Sequence, residues 1–193
     1  MKARLVLLFL CASLLASMQA RATTILPDAC GDDDINFDVK TLKDQPPPAP
    51  PPDGKAQIVF VEEQNQRAGT FTFATVRYGV DGAWVGANHG DSYFVLNIAP
   101  GVHHLCASGQ RYGKEAVGLT TFTAESGKVY YFDANMMVTR SGGGFVSVSG
   151  ALGTSTGMAP GSVNTAFRFT QLSDDDGQYR VKAWKLATWK FEQ

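Results

Sequence analysis

From residue 55 onward, apolar residues fall into short runs and alternations with a period near two, broken every few positions by turn formers. Residues 56–61 form an unbroken β-prone run. Thr75–Val80 alternates, with Val76, Tyr78 and Val80 on one side and Arg77 on the other. Asp81-Gly82 then reads as a two-residue hairpin turn, because both central positions of such a turn need positive φ, and residues 83–87 return. Residues 93–98 end at Ala99-Pro100-Gly101, with 103–107 expected as their partner strand. Residues 118–124 and 128–134 flank Glu125-Ser126-Gly127. Residues 166–172 and 178–186 flank Ser173-Asp174-Asp175-Asp176-Gly177, read as another hairpin connection. Some eight short strands with regular turns predict an all-β chain, an antiparallel β-sandwich of Ig-like or prealbumin-like type.

Two stretches depart from that pattern. Pro46-Pro47-Pro48-Ala49-Pro50-Pro51-Pro52 lacks N–H donors and has fixed φ, so it predicts an extended spacer within a leader over residues 23–54. Residues 141–164 are rich in glycine, serine and threonine. They predict mostly a mobile loop inserted in the domain of residues 55–193, with a glycine-weakened hairpin near 145–149.

The N-terminus carries Lys2 and Arg4, then an uncharged apolar run over 5–16, then Ala20-Arg21-Ala22. This is the layout of a signal peptide ending near residue 22. The run falls short of the roughly 20 apolar residues that span a bilayer, so no permanent membrane span is expected. Removing 1–22 takes Lys2, Arg4 and Arg21 from totals of 17 basic and 18 acidic residues, leaving 14 against 18, a net of −4. That balance gives nucleic acid no foothold. Cys30 and Cys106 survive cleavage, and in an oxidising compartment the simplest outcome is one disulfide, which would fold the leader back along the body. The expected location is periplasmic or extracellular.

The stretch Tyr78-Gly79-Val80-Asp81-Gly82-Ala83-Trp84-Val85-Gly86, followed by Ile98-Ala99-Pro100-Gly101-Val102-His103-His104-Leu105, resembles the PEGA-type domain and related bacterial exported proteins. There an Asp-Gly turn, a second glycine and a Pro-Gly-x-His turn recur in that order. Gly127-Lys128-Val129-Tyr130-Tyr131-Phe132 is similar to the strand that follows. The likeness covers about residues 55–134. It implies a β-sandwich module of envelope or surface proteins with no catalytic residues assigned.

Candidate chemistry is sparse. Gly153-Thr154-Ser155-Thr156-Gly157 matches the nucleophile-elbow pattern, but no histidine follows His104 and no helix is signalled after it. His104 and Cys106 share a strand face and with His89 suggest a metal site; zinc needs three or four placed ligands, and a disulfide at Cys106 removes one. Neither a metal nor another cofactor is expected. The acidic clusters 32–34 and 174–176 lack the alternating spacing of a calcium loop and read as solvated turns. Trp84, Tyr93, Trp184 and Trp189 lie near turns or strand ends, where flat rings stack on sugars or anchor partners, unless they seal the core. The expected function is a non-enzymatic exported module with a binding or structural role toward an envelope protein or glycan; the alternative is a carbohydrate-binding protein using exposed aromatics.

Overall fold

The computed structural model describes residues 30–32, 34–63, 75–110, 117–141, 145–150, 153–158 and 162–192. Its strands are β1 (Phe37–Leu42), β2 (Ala56–Glu62), β3 (Thr75–Val80), β4 (Ala83–His89), β5 (Ser92–Ile98), β6 (Gly101–Gly109), β7 (Val117–Ala124) and β8 (Val129–Ser141). After these come β9 (Phe145–Gly150), β10 (Gly153–Met158), β11 (Ser162–Gln171), one helix α1 (Asp174–Ala183) and β12 (Lys185–Phe191). Ten of the strands form two layers, a six-stranded sheet in the order β1-β12-β5-β2-β8-β11 and a four-stranded sheet in the order β4-β3-β6-β7. The β9–β10 hairpin stands as a separate ribbon.

Strand β2 explains the layering. All seven of its residues are buried, the pattern of a strand covered on both faces. Ile58 and Phe60 point inward and meet Tyr78, Phe94, Leu105, Phe132 and Phe167 between the sheets. Phe60 stacks obliquely on Tyr78 at 4.6 Å and on Phe94 at 5.1 Å between ring centroids. Val59 and Val61 point outward into a second cluster with Tyr93, Tyr131, Val181 and Trp184, beneath α1. At one side the edges of the layers meet, where Gly118 of β7 lies against the Phe167 backbone of β11 with no room for a side chain.

The expected two-layer β fold is present, and the Asp81-Gly82 turn joins β3 to β4 with φ of 51° and 86°. Several pairings differ from expectation. Residues 92–98 and 101–109 are not partners: β5 is flanked by β2 and β12, while β6 is flanked by β3 and β7. The Pro100-Gly101 connection is thus an arch between layers, with Gly101 at φ 137°. Glu125-Ser126-Gly127 makes a second arch, from β7 to β8. The six-stranded sheet is mixed, since β2 runs parallel to β8 and β12 parallel to β5. Residues 141–164 are largely strand, supplying the end of β8, the β9–β10 hairpin and the start of β11.

The largest departure is α1, which stands where a hairpin turn and strand were expected. Ser173 caps it: its Oγ accepts from the Asp176 N–H at 3.2 Å and donates to Asp176 Oδ2 at 2.8 Å. Asp174, Asp175 and Asp176 fill the first turn and Arg180 and Lys182 the last, matching the helix dipole at both ends. Gly177 lets the helix settle directly on the Tyr131 ring, which a methyl group there would overlap.

The leader belongs to the body. Cys30 is joined to Cys106 on β6, and Trp84 Nε1 donates to the Asp32 carbonyl at 2.7 Å. Arg77 donates to the Ile35 carbonyl at 2.6 Å, and β1 then pairs antiparallel with β12 at the edge of the six-stranded sheet. Gln110 completes the seam, its amide bonding both the N–H and the carbonyl of Phe37.

Two measurements check this architecture. The disulfide closes a loop across a sequence separation of 76, so replacing both cysteines by alanine is expected to lower the unfolding free energy in urea by about 4 kcal/mol. Unchanged stability would contradict the clamp. Gly177→Ala should destabilise the protein even though alanine raises helix propensity by about 1 kcal/mol, because the methyl meets Tyr131. A higher urea midpoint for this variant would mean that α1 does not sit on that ring.

Candidate functional site

On the outer face of the six-stranded sheet, α1 and the proline-rich segment stand apart as two walls. Between them lies a groove of about 740 Å³, the size range of small-molecule sites. Its floor is made by Gln57 and Val59 of β2, Gly127, and Val129 and Tyr131 of β8. One wall is Gln45, Pro47, Pro48, Ala49, Pro50 and Pro51; the other is Gln178, Val181 and Lys182 of α1.

Both walls are tied down. The proline segment leaves the end of β1 and is held mid-way by Gln57, whose Nε2 donates to the Ala49 carbonyl at 3.0 Å and to Asn97 Oδ1 at 3.1 Å. Its far end is fixed where the Lys55 N–H donates to the Pro52 carbonyl at 3.0 Å. The helix is held by Arg180, whose Nη1 lies 2.8 Å from Asp133 Oδ2 and 3.2 Å from Glu63 Oε2. The same guanidinium covers the Trp184 ring at 5.0 Å. Asp133 is only 2 % exposed, so removing Arg180 would leave a buried carboxylate without its cation, a heavily destabilising change. Burial raises the Asp133 carboxyl above its ordinary range, with Arg180 opposing the shift. Burial likewise raises the Tyr131 phenol, helped by the charge of Asp174, so the groove floor carries a neutral phenol.

A second polar cluster lies between the sheets, on the opposite face of β2. Glu62 is buried there, and burial, followed by the charges of Asp133 and Asp91, pushes its carboxyl up to about 8 despite a hydrogen bond from the Gly90 N–H. Asn88 Nδ2 donates to the Phe60 carbonyl at 3.1 Å and the Tyr78 hydroxyl donates to the Val61 carbonyl at 3.2 Å. Among the described residues, Glu62 Oε2 and Asn88 Oδ1 meet no hydrogen-bond donor. A protonated Glu62 suits that surrounding better than a carboxylate, because a buried charge without donors is costly.

The aromatic residues singled out from the sequence do not form one surface. Trp84 and Tyr93 are buried. Trp84 packs beside the disulfide under the Arg77 guanidinium, 4.5 Å from its ring. Trp189 is half-buried, edge-on to Phe37 at 5.1 Å, and Trp184 is half-buried beneath α1. Among the described residues, the most exposed aromatic side chains are Tyr179 at 71 % and Phe191 at 53 %. The groove residues escaped the sequence reading, although the serine three positions before Asp176 was an available signal for the helix that builds one wall.

The remaining candidates are scattered. His103 on β6 reaches the β3–β4 turn, with Nδ1 2.6 Å from Asp81 Oδ2 and Nε2 2.8 Å from the Ala99 carbonyl. Burial works against the Asp81 charge, but the His104 N–H and the His103 ring outweigh it and hold the carboxyl below its usual range. His89 pairs with Thr75 at the opposite end of β3, and Cys106 is committed to the disulfide. Among the described residues, no three His, Cys, Asp or Glu side chains are arranged to hold a metal. Ser155 sits in the extended backbone of β10 opposite Val148, not at a strand-to-helix elbow.

No protein-family model, curated protein or solved structure matches this chain.

Glu62 also sets a pH dependence. Its folded value of about 8 lies above the ordinary 4.5, so the folded protein holds a proton that the unfolded chain releases between those limits. Its contribution is greatest below about 4.5 and is lost as pH rises through about 8, with a slope of at most about 1.4 kcal/mol per pH unit. In Glu62→Gln, the fall in urea midpoint between pH 5 and pH 8.5 should shrink. Parallel pH profiles for the two proteins would refute the assignment.

Proposed function

We propose that this chain is an exported, non-enzymatic β-sandwich module with a binding role in the envelope or outside the cell, and that the groove between α1 and the proline segment is its ligand site. The groove itself carries the reading: two independently anchored walls leave an apolar cleft of about 740 Å³ over an otherwise covered sheet face. Export is supported by the signal-peptide pattern of residues 1–22, which lie outside the described residues, and by the Cys30–Cys106 disulfide. Among the described residues no helix is long and apolar enough to cross a membrane. Kinship with PEGA-type modules belongs to the same reading and rests on the Asp81-Gly82 and Pro100-Gly101 motifs. A glycan surface built from Trp84, Tyr93, Trp184 and Trp189 gains less support, because none of these rings is exposed.

The test is titration with a polarity-sensitive apolar dye. The chain lacking residues 1–22 should bind it saturably at one site, and Ala49→Trp, which fills the groove from an exposed position outside the core, should abolish binding while leaving the urea midpoint unchanged. Absence of saturable binding, or equal binding by Ala49→Trp, would remove the groove as the site.

A further inference from the structure

We infer that the groove selects an amphipathic monoanion, a single flexible apolar chain ending in a carboxylate, of the fatty-acid kind. This rests on the reading of the groove as a ligand site and adds the ligand's chemistry.

Among the described lining side chains, hydrogen-bond donors belong only to Gln45, Gln57, Tyr131, Gln178 and Lys182, with the last two together on α1. Its proline wall presents ring faces and carbonyl oxygens, and a proline has no N–H to give. Gln57 on the floor has two amide hydrogens, and both are taken, by Ala49 and by Asn97. Val59, Val129 and Val181 add only apolar surface. A glycan or an extended peptide brings many acceptor oxygens along its length, and those against the proline wall and the valines would lose water without gaining hydrogen bonds. An alkyl chain makes no such demand, and the proline rings and valines favour it through burial of apolar area.

Charge then fixes the head. Lys182 is the one charged side chain among the described lining residues, and no carboxylate lines the groove. Gln178 lies one helical turn before it on the same face of α1, so an ammonium and an amide stand side by side. The two together can engage the two oxygens of one carboxylate. A single ammonium balances a single negative charge, whereas a phosphate monoester would bring nearly two. Lys182 is exposed at the rim, which lets the head stay hydrated while the chain enters the groove.

The experiment compares dodecanoate with its uncharged methyl ester, both below micelle-forming concentrations, as competitors for the apolar dye on the exported chain and on Lys182→Gln. Dodecanoate should displace the dye more strongly than the ester. In Lys182→Gln the advantage should fall by about three- to fivefold, the effect of one solvent-screened ion pair, with the ester unaffected. Equal displacement by acid and ester on the unaltered chain would overturn the anionic head while leaving the groove as the site. Displacement by neither, with dye binding intact, would overturn the acyl-chain inference. Loss of the dye signal itself would overturn the parent reading.

Discussion

Everything in this molecule turns on the coverage of β2 on both faces. One face supplies Ile58 and Phe60 to the core between the sheets, and the other supplies Val59 and Val61 to the cluster under α1. A sandwich normally leaves its outer faces to water and marks them with polar side chains. Here the outer face of β2 and β8 is apolar, so it demands a cover. The chain provides two, a helix near its C-terminus and a proline-rich segment near its N-terminus. The groove is what remains between them.

The two covers are held by different physics. The helix is seated by shape and charge together: Gly177 fits on the Tyr131 ring, and Arg180 reaches a nearly inaccessible Asp133. The proline segment has few donors of its own and depends on Gln57, a buried polar residue of β2, whose amide reaches the Ala49 carbonyl. That one side chain is both the tether of a wall and part of the groove floor. Before the segment, the disulfide and the β1–β12 pairing hold the leader against the body, and after it the Lys55 N–H holds the Pro52 carbonyl, so the position of the wall is set from both ends.

The acidic residues divide between the two sides of the same sheet. Asp133 lies under the helix and has the Arg180 cation, while Glu62 lies between the layers near the charges of Asp133 and Asp91. Burial first, and the nearby charge of Asp133 second, make Glu62 a group that keeps its proton. The helix latch and the protonated acid are thus coupled through the strand that carries the groove floor.

Much of this was legible beforehand, and the limits have physical reasons. The β2 run, the Asp81-Gly82 hairpin and the Cys30–Cys106 pair could be read because each depends on local chemistry or on elimination: continuous burial, positive φ, two available thiols. The arches at Pro100-Gly101 and Glu125-Ser126-Gly127 could not be told from hairpins, because a turn reverses the chain in the same way whether its strands pair or face each other across a core. The helix at 174–183 was hidden by an acidic, glycine-containing sequence that also suits a turn; its capping serine and charge order were local signals, yet its stability depends on contacts with Tyr131 and Asp133, distant along the chain. By itself, then, the sequence determined the strand-rich class, the turns and the covalent clamp. Only tertiary structure decided which strands pair, which face of β2 needs a cover, and that a proline segment and a helix far apart in sequence would become the walls of one groove, because those outcomes depend on packing between residues whose order along the chain says nothing of their distance.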